Sequence, residues 1–150
     1  MNFVSFLFVF FMTLVGMTAD AAIPPCYKEM ERGFYKPELV QQALSFHLRI
    51  YQSTWSAINS SLQRKAQNVP DIVKRKASKM HPNPLDIPFD PEVAGQVLEQ
   101  ILIDILAQTL AEFNIKNHEQ VLLIFNFIKE KQIAKWQACF TPLAKIPSKI

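Results

Sequence analysis

Ten prolines divide this chain of 150 residues and limit where a helix can run. Each proline lies outside the apolar periodic segments or in the first turn of one, where its missing backbone N–H breaks no helical hydrogen bond. Only two glycines, Gly33 and Gly95, follow the N-terminal apolar run, and no alternating apolar and polar segment is bounded by turn dipeptides. The pattern therefore predicts an all-α fold without a sheet.

The apolar periodicity predicts three long helices and one short helix, which pack as a small helical bundle. The first helix begins at Pro37, and its apolar stripe runs from Leu44 to Leu62 at spacings of four and three, through Tyr51 and Trp55. The predicted helices cover about residues 37–64, 70–79, 91–113 and 118–139, with a loose tail at 142–150.

The third helix is the most apolar of the four and is expected to lie at the centre of the bundle. Asp90 and Pro91 supply its N-cap and its first helical residue. Its polar residues stand four apart, so the polar line drifts around the axis and neighbouring helices must cross it obliquely. The expected core residues are Val93, Val97, Leu98, Ile101, Leu102, Ile105, Leu106 and Leu110.

The fourth helix is expected to begin after Asn117, which acts as its N-cap. Its predicted inward face consists of Leu122, Phe125, Ile128, Ile133 and Trp136.

The first 17 residues carry no charged side chain and are followed by Ala19-Asp20-Ala21. An apolar run of about 15 residues that ends in a small-x-small site is typical of a secretory signal and is shorter than a membrane span. We therefore predict a signal peptide at 1–21 and a single helical domain at 22–150 in a secreted or periplasmic protein. The alternative is an uncleaved N-terminal anchor.

Two cysteines, Cys26 and Cys139, are expected to form a disulfide bond, because an exported chain reaches an oxidising compartment. The bond would close a loop of more than 100 residues, for which chain entropy predicts about 4.7 kcal/mol. A reactive thiol pair or a metal site is the alternative, but neither has a supporting CxxC motif or a neighbouring histidine.

Basic residues are concentrated before the proline-rich segment. Residues 64–79 hold six basic side chains and one acid, whereas residues 81–115 hold six acids and no lysine or arginine. This basic segment is either a docking surface, extended by the stiff connector that follows it, or a solvated surface complemented by the acidic third helix. The candidate binding residues are Lys74, Arg75, Lys76, Lys79, Pro84 and Phe89.

The expected partner is a protein with an acidic surface, and a lipid or an anionic membrane surface is the alternative. Nucleic acid is not expected, because no aromatic residue interleaves the basic cluster for base stacking.

No residue pattern predicts a cofactor, a metal or a catalytic site. His47, His81 and His118 stand in no metal-ligand spacing. Asp104 interrupts an apolar run and would be costly to bury without a partner, but it also belongs to the polar line of the third helix. A hydrolase with a site assembled around His47 or Asp104 is the least favoured hypothesis.

The sequence favours an exported, non-enzymatic, helical protein-interaction module. This hypothesis is motivated by two segments whose composition is not explained by core formation. They are the basic segment and the proline-rich connector. The alternative is a carrier that holds a lipid or another small apolar ligand between its helices.

Overall fold

The computed structural model describes residues 25–80 and 91–140, with the side chains of 77–80 excepted. The described residues form seven α-helices and no strand, which confirms the predicted all-α class. The helices are α1 (Pro25–Gly33), α2 (Pro37–His47), α3 (Gln52–Ala66), α4 (Val69–Met80), α5 (Pro91–Glu112), α6 (His118–Glu130) and α7 (Ile133–Phe140). The predicted signal peptide at 1–21 and the tail at 142–150 lie outside these residues.

The predicted bundle of three long helices and one short helix is not confirmed, because two of the long helices are each divided in two. The first division is at residues 48–51, where Leu48 takes extended backbone angles (φ −119°, ψ 128°). Leu48 is buried and Ile50 packs against the core, although residues two apart point to opposite sides of a helix. The extended segment lets both contact the core. It leaves Tyr51, which we expected in the core, 84% exposed.

The second division is at Lys131 and Gln132, between α6 and α7. Gln132 is buried, and its Nε2 donates a hydrogen bond to the carbonyl oxygen of Phe34 at 2.9 Å. The same Nε2 lies 3.4 Å from the carbonyl oxygen of Ile128, one turn earlier. Because Phe34 is 98 residues away in sequence, local periodicity carries no sign of this turn.

Helix α1 was not predicted from the sequence, and it is stabilised by contacts with α7. The predicted disulfide between Cys26 and Cys139 is present, with Cα atoms 5.8 Å apart. Beside it, Tyr27 packs edge-on against Phe140, with ring centroids 5.8 Å apart. A helix of nine residues is marginal in isolation, so these contacts stabilise it.

The central helix is α5, as its apolar sequence predicts. It packs against α3, α4, α6 and α7. Six of its expected core residues are buried: Leu98, Ile101, Leu102, Ile105, Leu106 and Leu110. Val97 is half-buried, but Val93 is 38% exposed, so its expected place in the core is wrong.

The connector between α1 and α2 is bonded to three other helices. The Tyr35 hydroxyl donates to the carbonyl oxygen of Leu102 in α5. Gln63 of α3 donates from Nε2 to the Tyr35 carbonyl oxygen at 2.6 Å. Phe34 stacks on Phe125 of α6, with ring centroids 5.3 Å apart. These contacts position α2 against α6, and the candidate site lies at their junction.

Candidate functional site

An aromatic patch lies where the end of α2 meets the middle of α6. We define it as Phe46, His47, Leu123 and Phe127. Phe46 is 75% exposed and Leu123 is 51% exposed, whereas His47 and Phe127 are half-buried. Exposed apolar side chains that are grouped in this way often mark interaction surfaces.

The three rings of the patch contact one another. Phe46 and Phe127 stack, with centroids 5.8 Å apart and 30° between their planes. His47 meets Phe46 at 4.9 Å and Phe127 at 5.8 Å, in both cases edge-on. These contacts join α2 to α6 and restrict the Phe46 ring, so less side-chain entropy is lost when a partner covers it.

Charged residues stand at both ends of the patch along α6. Glu119, Leu123, Phe127 and Lys131 are four residues apart, so they form one ridge on the helix surface. The Lys131 Nζ lies 5.3 Å from the centroid of the Phe127 ring, a cation–π contact. Among the side chains that the structure describes, neither Glu119 nor Lys131 forms a salt bridge. We call this set of four residues the α6 ridge; it has an acidic end, an apolar centre and a basic end.

The helix that carries the ridge begins as predicted. The Asn117 side chain accepts hydrogen bonds from the backbone N–H groups of Glu119, at 2.9 Å, and Gln120, at 3.4 Å. This N-cap satisfies two donors of the first turn, which otherwise have no helical acceptor. Glu119 also lies in the first turn, where its negative charge is favourable to the helix dipole.

The basic segment predicted as a docking surface lies on α4. Lys74 and Arg75 are exposed and Lys76 is half-buried. Arg75 Nε donates to the carbonyl oxygen of Asp71, one turn earlier, at 3.5 Å. Outside the described part of the structure lie the side chain of Lys79 and the connector residues Pro84 and Phe89. The docking surface that these residues would complete therefore stays a prediction.

The two residues considered for a hydrolase have separate local partners. His47 belongs to the aromatic patch. Asp104 is half-buried and accepts a hydrogen bond from Gln100 Nε2 on the same helix at 2.9 Å. That bond stabilises the carboxylate within the polar line of α5, so the hydrolase hypothesis gains no support from these contacts.

A serine, a lysine and a glutamate meet where the C-terminal ends of α3 and α5 approach each other. Lys65 Nζ donates to Ser61 Oγ at 2.9 Å and forms a salt bridge with Glu112. Ser61 Oγ donates to Glu112 Oε2 at 3.0 Å. The hydrogen bonds from Lys65 and then from Ser61 lower the pKa of the Glu112 carboxyl. An ammonium group in an ion pair has no lone pair for the serine proton, so the cluster ties α3 to α5 rather than activating a nucleophile.

The part of the chain that the structure describes holds no group of three or more His, Cys, Asp or Glu side chains suited to a metal ion. In the same part, one helix, α5, is long and apolar enough to cross a membrane by length and composition. The core helix of a soluble protein meets the same criterion, and α5 carries eight buried residues in this fold.

Comparison with known proteins assigns no family. No protein-family model, no curated protein and no solved structure matches this chain.

The aromatic patch was not predicted from the sequence, although the spacing of residues in the first predicted helix indicates an exposed aromatic side chain. Phe46 lies two residues after Leu44, which the apolar stripe directs into the core. Residues two apart are about 200° apart around a helix, so the position of Leu44 in the core places the large aromatic side chain of Phe46 on the solvent side. The inward face predicted for the fourth helix likewise leaves out Leu123 and Phe127.

Proposed function

We propose that this chain is an exported, non-enzymatic protein-interaction module that docks through the aromatic patch. The observation that carries the proposal is the 75% exposure of Phe46, whose ring is held by ring contacts at a helix junction. Aromatic residues are enriched at the centres of protein interfaces, where a few of them contribute most of the binding energy. The disulfide supports export, because such bonds persist in oxidising compartments.

The proposed partner is a protein surface that carries apolar side chains between one basic and one acidic group. Its acidic group pairs with Lys131 and its basic group pairs with Glu119, which together determine its orientation on the α6 ridge. This chemistry differs from the acidic surface expected opposite the basic segment of α4. That second docking surface stays a prediction.

The alternative function, a carrier for a small apolar ligand, is less well supported by the described core. Leu44, Leu62, Leu98 and Ile124 come from four helices and have none of their surface exposed. A ligand between helices needs apolar side chains with free surface to contact it, and these four side chains have none.

Photo-cross-linking tests the proposed docking surface. Phe46 is replaced by a photoreactive phenylalanine analogue in the full-length chain, which is expressed in its own host. We expect light to give a discrete cross-linked protein product. Adding Leu123→Asp to the same chain should reduce the yield of that product, because the carboxylate would be buried in an apolar contact.

The matched control carries the analogue at Gln67, which is exposed at the end of α3. The same products from positions 46 and 67 would contradict docking through the patch. Cross-linking to lipid alone would contradict a protein partner and would show that the patch contacts a membrane surface. Circular dichroism of each variant verifies that the helices are retained.

A further inference from the structure

We infer that the partner on the α6 ridge is a second copy of this chain, bound in an antiparallel two-fold dimer. The inference rests on the proposed function, because it names the occupant of the aromatic patch. The ridge has the order Glu119, Leu123, Phe127, Lys131 at equal spacing. A two-fold axis at the level of residue 125 exchanges position 119 with 131 and position 123 with 127.

Each position then meets a complementary side chain. Glu119 meets Lys131 of the second copy, and Leu123 meets Phe127 of the second copy. Every contact occurs twice, as in any isologous interface. Ridges of four-residue spacing lie side by side when their helices cross at about −50°, the commonest packing class in globular proteins.

Phe46 enlarges the apolar centre of this contact. Since its ring stacks on Phe127, the two rings together face Leu123 of the second copy. Phe46 and Leu123 are the exposed apolar members of the patch, and the dimer covers both. The exposure that marks the surface is therefore removed by the proposed partner.

The order of charges selects the antiparallel arrangement. A parallel pair of ridges would place Glu119 on Glu119 and Lys131 on Lys131, and like charges at both ends would oppose it. Glu130 lies about 60° around the helix from Phe127, on the neighbouring ridge, and therefore stands to one side of the contact.

The charges also favour a second copy over a wholly acidic protein or an anionic membrane. Either of these would pair with Lys131 but would bring negative charge towards Glu119. The ridge carries one charge of each sign without an ion-pair partner in the described residues, and the second copy satisfies both.

Sedimentation velocity over a concentration series tests the dimer, with the protein recovered from its own host after export. We expect a dissociation constant on the order of 10 µM for a contact of this size. Glu119→Lys alone, or Lys131→Glu alone, should weaken the dimer about tenfold, because the symmetry places two like-charge pairs in the interface. Mixing the two variants should restore association, since both pairs in the mixed dimer again have opposite signs.

Glu130→Lys is the matched control, because it makes the same charge change one ridge away. It should leave the dissociation constant within about twofold of the unmodified value. A dimer that the charge variants do not weaken, or that mixing does not restore, has another interface and would overturn the inference.

A chain that stays monomeric at all concentrations would also overturn it, but the proposed function would survive if position 46 cross-links to a different protein. A cross-linked product with the mass of two chains supports both proposals. A charge variant that fails to fold would also fail to dimerise, but mixing it with the other variant would not restore association. The mixing experiment therefore separates loss of folding from loss of the interface.

Discussion

Tyr35 is buried, and its hydroxyl group must therefore find an acceptor inside the protein. The acceptor is the carbonyl oxygen of Leu102 in the middle of α5. Burial raises the pKa of Tyr35 well above its ordinary value, because a phenolate would lose its hydration. The hydroxyl stays protonated and donates this bond over the ordinary pH range. A single side chain thus joins the α1–α2 connector to the central helix.

We expect Tyr35→Phe to lower the free energy of unfolding by about 1–2 kcal/mol. The substitution removes one buried hydrogen bond and keeps the ring that packs on Phe34. Urea denaturation followed by circular dichroism measures the change. Tyr51→Phe is the control, because Tyr51 is 84% exposed, and it should change stability by less than about 0.5 kcal/mol. Equal losses in the two variants would count against the role given to the buried bond.

At the scale of elements, α5 and α7 approach each other closely at Gly95. A Cβ at this position would lie 2.9 Å from the Cβ of Phe140. Phe140 is itself confined, because its ring packs against Tyr27 on α1 and Trp136 on α7. Gly95 therefore permits the contact between two helices rather than providing flexibility to one.

Gly95→Ala is expected to destabilise the protein by about 1–2 kcal/mol, even though alanine favours a helix by about 1 kcal/mol over glycine. The added methyl group would displace Phe140, and this cost exceeds the gain in helix propensity. Thermal unfolding measures the net effect. Gly33→Ala is the matched control, because no atom lies within 4 Å of its added Cβ, and it should be neutral or slightly stabilising. If Gly95→Ala instead raised the stability of the protein, α7 would be able to shift away from the added methyl group without cost.

At the scale of the whole molecule, the disulfide closes the described fold into one loop. Cys26 and Cys139 are 113 residues apart and join α1 to α7. Since α1 also packs against α4, the bond constrains an element that contacts both halves of the chain. Cross-links that close long loops restrict the unfolded chain most, in the chain-entropy model.

Replacing both cysteines by serine should lower the free energy of unfolding by about 3–5 kcal/mol. Hydrogen exchange should rise first in α1, because a helix of nine residues is marginal without its tether, and last in α5. Reduction of the unmodified protein should reproduce the same order. A uniform rise across all helices would mean that α1 and the core unfold as one unit.

Local features of the sequence were sufficient for the helical class and for three of the helix starts. Proline at the first helical position marks α2 and α5, and the Asn117 side chain caps α6. The disulfide followed from a different argument, since an exported chain with two cysteines has one possible pairing. Each of these inferences depends on chemistry within a few residues or on composition alone.

Only the tertiary structure decided where the long helices divide and which aromatic residues are exposed. The turn at Gln132 depends on Phe34, 98 residues away, and the segment at 48–51 depends on a core that accepts both Leu48 and Ile50. The aromatic patch likewise requires α2 to meet α6. Contacts between distant segments carry no local period, so the sequence determined that helices form, whereas packing determined where they end and which surface they present.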